Sequence, residues 1–327
     1  MLRSSDKLRR AFTLSSLLLL AITLLLVSCN KHESASAAPE QRTFASPGAA
    51  GQALFDAASS GDQTALLAIF GSEGKDLIFS GDAVKDKNTA QRFVSAYQQM
   101  NRWSKSASGD QILYIGADNF AFPIPLKQNG SGRWVFDTAA GRNEVLARRI
   151  GDGELTAIGV LTELANAQQE FFRQHHQFAQ KIVSDEGQHN GLYWPVAKGQ
   201  PASPLEPLAE VAKALGYSHS DNPQPFNGYY FRILTRQSDN SKGGAEDYVQ
   251  NGKMTGGFAV LAWPAKYRNS GIMTFTVGQD GIIREKDLGD KTPDASTVVT
   301  AYDPSWTVVL APEAATVSSR SIPPRTR

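Results

Sequence analysis

Strand signals are densest between Phe226 and Leu288, and they commit that part of the chain to an antiparallel sheet. Tyr229 to Thr235 is aromatic and β-branched, the composition that fits a pleated, half-buried surface. Gly257 to Trp263 is nearly all apolar and stops at Pro264, which has no N–H for a ladder and therefore marks a strand end or an edge. In Gly271 to Val277 the side chains alternate, with Ile272 and Thr274 on one face and Met273, Phe275 and Val277 on the other. Asp280-Gly281 supplies residues that tolerate positive φ, so Ile282 to Asp287 is expected to return as a hairpin partner. The Gly-, Ser-, Asn- and Asp-rich stretch Ser238 to Thr255 is expected to be a long surface loop.

Upstream, the periodicity changes. Ser46-Pro47 reads as an N-cap followed by Pro at the first helical position, with Ala50, Ala53, Leu54 and Ala57 on the inner face and Gly61 as the stop. Asp62 caps a second helix that closes at Gly71, and Asn88 or Thr89 is expected to start a third carrying Phe93, Tyr97 and Met100. Strands follow at Gln111 to Ile115, at Phe120 to Leu126 (an edge strand, because of Pro123 and Pro125) and at Arg133 to Asp137 after an Asn129–Gly132 turn. A helix Gly141 to Ile150 leads to the longest one, Glu154 to about Lys181, capped by Asp152. Its apolar stripe is Ile158, Leu161, Ala165 and Phe172, widened by Leu155, Leu164 and Phe171. Gly187 to Pro207 is a connection, and Leu208 to Leu215 a short helix. The fold class is α+β: helices packed on antiparallel sheets, with the long helix followed by a β-meander in the C-terminal half. The expected division is 44–150 and 151–303, with a disordered Ser-, Thr-, Pro- and Arg-rich tail over 304–327.

The first 28 residues have a separate logic. Arg3, Lys7, Arg9 and Arg10 form a basic region, and Phe12 to Val27 an apolar one interrupted by Thr13, Ser15, Ser16 and Thr23. That is short and polar for a membrane span and reads as a secretory signal. It closes on Leu26-Val27-Ser28-Cys29, which resembles the bacterial lipobox, and Cys29 is the sole cysteine of the chain. Cys29 is thus the expected lipidation site, and residues 29–43 the flexible tether. Asn30 after the cysteine resembles an outer-membrane sorting signal in a diderm host. Removing residues 1–28 leaves 29 bases against 31 acids, a net charge of −2 with no Lys/Arg run. Nucleic-acid binding is therefore not expected.

Catalytic chemistry is thinly represented. His32, His175, His176, His189 and His219 contain no pair at metal-ligand spacing, so neither a metal nor a cofactor is expected. Ser72-Glu73-Gly74-Lys75 fits SxxK and Ser238-Asp239-Asn240 fits SDN, as in penicillin-recognising serine enzymes. The third element is lacking, because Lys253-Met254-Thr255-Gly256 carries an intruding Met, so the coincidence is assigned to chance. Glu285 and Asp287 share a strand face and read as a charged edge. The aromatic candidates are Tyr193, Trp194, Tyr229, Tyr230 and Trp263, and those in strands read first as core or cross-strand packing. Tyr193, Trp194 and Trp263 are the binding candidates, with Asp247 in the loop; Trp194, beside Pro195, is the one expected to be exposed.

Several runs together resemble the bacterial DUF2950 family of exported proteins. They are Phe122-Pro123-Ile124-Pro125-Leu126, Trp134 to Thr138, Arg148-Arg149-Ile150-Gly151, Gly191-Leu192-Tyr193-Trp194-Pro195, Met254 to Phe258, Gly271 to Phe275 and Glu285 to Gly289. The resemblance spans about Phe44 to Trp306 and implies an envelope protein with no catalytic residues to carry over. The expected function is a membrane-anchored envelope lipoprotein serving as a binding or assembly module, with an envelope protein or glycan as partner. The alternative is a cell-wall or glycan-directed hydrolase with its site near Trp194 and the Ser238–Thr255 loop. That reading needs two or more of Asp239, Glu246, Asp247 and His189 in one cleft.

Overall fold

The computed structural model describes residues 41–196, 199–218 and 223–310. Cys29 and the tether to residue 40 lie outside the described residues, as do His32, His219 and 311–327.

Local capping sets the first helices. Helix α1 (Pro47–Ser60) starts where Ser46 Oγ accepts the Ala49 N–H at 3.1 Å and stops at Gly61 in the left-handed region, φ 66°. Asp62 caps α2 (Gln63–Phe70) through the Ala65 N–H at 2.9 Å. A 3-10 turn (Ser72–Gly74) and a single-turn helix α3 (Lys75–Ile78) follow. The next helix, α4, runs Ala83–Gln99, so it begins five residues before the expected Asn88. Asp82 sets that start: its side chain accepts the Lys85 N–H at 3.0 Å and, fully buried, also takes the Tyr217 hydroxyl at 2.7 Å and the Gly228 N–H at 2.9 Å.

A first antiparallel sheet follows: β1 (Asn101–Lys105), β2 (Gln111–Ile115), β3 (Phe120–Ala121), β4 (Leu126–Gln128) and β5 (Trp134–Phe136). Its order is β1-β2-β4-β5, with β3 also on β2. β1, Asn101-Arg102-Trp103-Ser104-Lys105, is polar and carries no strand signal of its own. The expected strand Phe120–Leu126 is broken into β3 and β4 at Pro123 and Pro125, which cannot donate to a ladder. Phe44, Leu54, Ile69, Phe70, Ile124, Leu126 and Phe136 form the core between this sheet and α1–α2.

Helix α5 (Thr138–His175) is one element of 38 residues, where the sequence suggests two helices meeting near Asp152. Asp137 caps it, and its glycines are contact points rather than breaks. A Cβ at Gly141 would lie 2.6 Å from Ile124 Cγ1 and 2.8 Å from the Pro123 carbonyl oxygen; one at Gly153 would lie 2.3 Å from the Ser270 carbonyl oxygen. The helix therefore serves both sheets and runs unbroken through the expected 150/151 boundary. It also ends earlier than expected, at His176 with φ 54°. The fully buried Gln168 then receives the returning chain, its amide pairing with both the N–H and C=O of Ala179 at 2.9 and 2.8 Å. Leu155, expected on the apolar stripe, points outward and is 66% exposed.

After α6 (Glu206–Ala214) comes the second sheet. Its strands are β6 (Tyr229–Leu234), β11 (Ala259–Pro264), β12 (Thr274–Gly278), β13 (Ile283–Lys286) and β14 (Thr307–Val308), all antiparallel in the order β14-β13-β12-β11-β6. Central β11 is buried throughout, with Val260 opposite Ile233 on one side and Val277 on the other. Each large aliphatic side chain buried there contributes about 1.5–3 kcal/mol. Pro264 is the last β11 residue, opposite Tyr229, and the Asp280-Gly281 turn joins β12 to β13 with Gly281 at φ 69°. Gly153, Ala157, Leu161, Leu164 and Phe171 of α5 are buried with this sheet's core.

Two expectations change here. The Ser238–Thr255 stretch is not a single coil: β7 (Arg236–Gln237) pairs with β8 (Glu246–Asp247), and β9 (Val249–Gln250) with β10 (Lys253–Met254). Residues 304–310 are not a disordered tail, since Trp306 is buried and β14 closes the β13 edge; 311–327 lie outside the described residues.

Candidate binding site

The aromatics singled out from the sequence are dispersed into packing. Trp194 is 7% exposed, not solvent-facing: His189 stacks on it at 4.3 Å and His175 meets it edge-on at 6.4 Å. Loop membership does not imply exposure when the loop itself is pulled under. Gly191 allows that approach, since a Cβ there would lie 2.7 Å from the Ser184 nitrogen and the Val183 carbonyl carbon. Tyr193 is half-buried, and its backbone bonds Ile182 and Ser184. Trp263 is buried in β11, stacked on Tyr230 at 5.4 Å. Asp247 is exposed on β8, 3.8 Å from Arg236. Asp239, Glu246 and Asp247 are surface residues, and His189 is held against Trp194.

His175 sits in an unusual place. Its Nε2 is buried without a hydrogen-bond partner, and its ring packs 4.2 Å from that of Phe171. Burial, with the charge of His189 in second place, holds its pKa below the ordinary histidine value.

A concave feature lies elsewhere, where the 3-10 turn, α3 and the first turns of α5 meet. A recess of about 440 Å³ is lined by Ser72, Glu73, Lys75, Asp76, Ala139 and Arg142. Asp76 organises it. One carboxylate oxygen accepts Arg142 Nη2 at 2.9 Å and the other Lys266 Nζ at 2.7 Å. These two donors, Lys266 first, hold the Asp76 carboxyl below the usual carboxylate range. Its backbone carbonyl takes Arg149 Nη1 and Asn269 Nδ2, both at 2.8 Å. Arg149 also donates to Asn269 Oδ1 at 2.7 Å and to the Leu77 carbonyl. The floor of the recess is thus pinned to α5 and to the chain between β11 and β12.

Ser72 and Lys75, the two ends of the SxxK coincidence, line this one recess, while Ser238 lies away from it in the chain before β8. Both Ser72 and Lys75 are exposed. Activation of a serine by lysine needs a desolvated amine, which this position does not supply. The signal the sequence did carry was the i, i+3 spacing that puts both side chains on one side of a helical turn. The cradle formed by Asp76, Arg142 and Lys266 spans positions 76 to 266 and leaves no local pattern. Among the described residues no group of three or more His, Cys, Asp or Glu is arranged to hold a metal ion.

A family model described as "Protein of unknown function (DUF2950)" matches residues 41–309. The chain belongs to the DUF2950 family. The matched span takes in both sheets, all of α5 and the recess, so the DUF2950 unit and the described body nearly coincide. Comparison with curated proteins and with solved structures returns no match.

Proposed function

We propose that this DUF2950 protein is a lipoprotein of the bacterial envelope, tethered to a membrane through acylated Cys29 and facing the periplasm as a binding or assembly module. In a diderm host the outer membrane is the destination. The observation that carries the reading is the leader: four bases, an apolar run, then Leu26-Val27-Ser28-Cys29, with the family body starting about a dozen residues later. A single acyl chain gives only marginal membrane affinity, so stable retention calls for the multiply acylated terminus that a lipobox cysteine receives. The binding half of the reading rests on the surface recess at Asp76, where polar groups converge beside a half-exposed ion cluster.

The test is metabolic labelling with an alkyne fatty acid, followed by membrane fractionation. The wild-type chain takes up label and sediments with membranes; Cys29→Ser takes up none and is released as a soluble protein. Label retained by Cys29→Ser, or unchanged sedimentation, refutes the anchor. Turnover of muropeptides by the purified protein would replace the binding module with the hydrolase.

A further inference from the structure

We propose that the recess around Asp76 is a binding subsite for a small carboxylate, with Lys75 and Ser72 as the groups that receive it. Within the lining Lys75 and Arg142 balance Glu73 and Asp76; Lys266, bound to Asp76, adds one positive charge, while Arg149 on the Asp76 carbonyl is offset by Asp86. Asp76 places one oxygen on Arg142 and the other on Lys266. Among the described residues, Lys75 has neither a carboxylate within ion-pair distance nor a side-chain hydrogen bond, and Ser72 Oγ has no partner either. Arg142 spends one N–H on the Glu73 carbonyl at 3.1 Å and one on Asp76, leaving three of a guanidinium's five donors.

A ligand with acceptor oxygens and one negative charge matches what is left over: ammonium, hydroxyl and spare guanidinium N–H groups, with Ala139 as a small apolar wall. A dianion such as phosphate would exceed the single positive charge and would face Glu73. A cation would meet the excess of bases. Arg142, beside the free Lys75 and Ser72, is also held in place. Arg142 and Asp76 are fixed by the network that joins α3, α5 and the β11–β12 connection, so little ordering is left for ligand binding. The recess is open, which suits the end of a longer molecule, such as the free C-terminus of a peptide, as well as a small free acid.

This deepens the binding-module reading and rests on it, but not on the lipid anchor. Titration calorimetry on the full-length chain in detergent uses three probes: Ala-Ala dipeptide with a free C-terminus, the same dipeptide as its C-terminal amide, and acetate. The free acid binds and the amide does not. Lys75→Gln weakens binding at least about tenfold, the factor attached to one charge-assisted hydrogen bond, and Ser72→Ala weakens it less. Both positions are exposed, so the variants keep the wild-type melting temperature. Acetate bound with affinity equal to the dipeptide assigns the site to free acids; preference for the dipeptide assigns it to peptide ends. No binding of either acid, equal binding of the amide, or unchanged affinity in Lys75→Gln overturns the proposal. Loss of acyl label at position 29 with carboxylate binding intact would fail the anchor alone.

Discussion

Gly→Ala substitutions along α5 should change stability with opposite signs according to what lies above each glycine. In a helix interior, Gly→Ala is favourable by about 0.8–1 kcal/mol, because alanine loses less backbone entropy. Gly151 and Gly159 have nothing within 4 Å of an added Cβ, so Gly151→Ala and Gly159→Ala should each gain up to about that amount. At Gly153 the added carbon would stand 2.3 Å from the Ser270 carbonyl oxygen and 3.5 Å from Tyr229 Cε2. The nearer atom is backbone, in a segment fixed by Glu154, whose Oε1 accepts the N–H groups of Ile272 and Met273 at 2.9 and 3.0 Å. Helix and loop must part by about an ångström, and overpacking of that kind costs roughly 1–3 kcal/mol. The propensity gain offsets part of it, so Gly153→Ala should lose about 1–2 kcal/mol. Urea unfolding followed by far-UV circular dichroism measures this as midpoint shifts at unchanged slope, or as roughly 2–4 °C in melting temperature per kcal/mol. If Gly153→Ala is stabilised as much as Gly151→Ala, the glycine is not a contact point and the account of α5 as a shared element fails.

Trp194→Ala should cost about 3–5 kcal/mol as a core truncation; a change under about 0.5 kcal/mol, the size of an ordinary surface effect, would show that the side chain is not packed as described. His175 gives the pH dependence. Its folded pKa lies below the ordinary value of about 6.5, so below that pH the unfolded chain takes up a proton that the folded protein resists. The contribution is complete above about pH 6.5 and is lost as pH falls from there towards the folded pKa. The urea midpoint should therefore drop between about pH 7 and pH 5, and His175→Gln should flatten that drop; an equally steep drop in the variant refutes the assignment.

Much of this fold was legible locally. Ser46, Asp62 and the Asp280-Gly281 turn stand where their side chains or φ values are needed, and Gln111–Ile115 is a strand as its residues suggest. The departures occur where distant chain overrides local preference. Gly151-Asp152-Gly153 resembles a helix break because the carbonyl that makes Gly153 necessary is at position 270. Asn101–Lys105 has no apolar alternation, yet β2 recruits it by backbone pairing from Asn101↔Ile115 to Lys105↔Gln111. Residues 304–310 read as tail because so short an edge strand takes its order from β13. The family resemblance held across the body, matching residues 41–309. The recess was not legible: the spacing of Ser72 and Lys75 reads as a chance SxxK match, and Asp76, Arg142 and Lys266 meet only after folding.

The interval between Gly141 and Gly153 has an evolutionary corollary. Each bare Cα must face a different connection, Pro123-Ile124 between β3 and β4 or Ser270 between β11 and β12, at one angular setting, and a helix turns about 100° per residue. Adding or deleting a single residue between them would swing one notch away and drive a side chain into the opposing backbone. Loops elsewhere can lengthen gradually, whereas this span can change only by swapping letters, so descendants should keep its count even after its spelling has drifted.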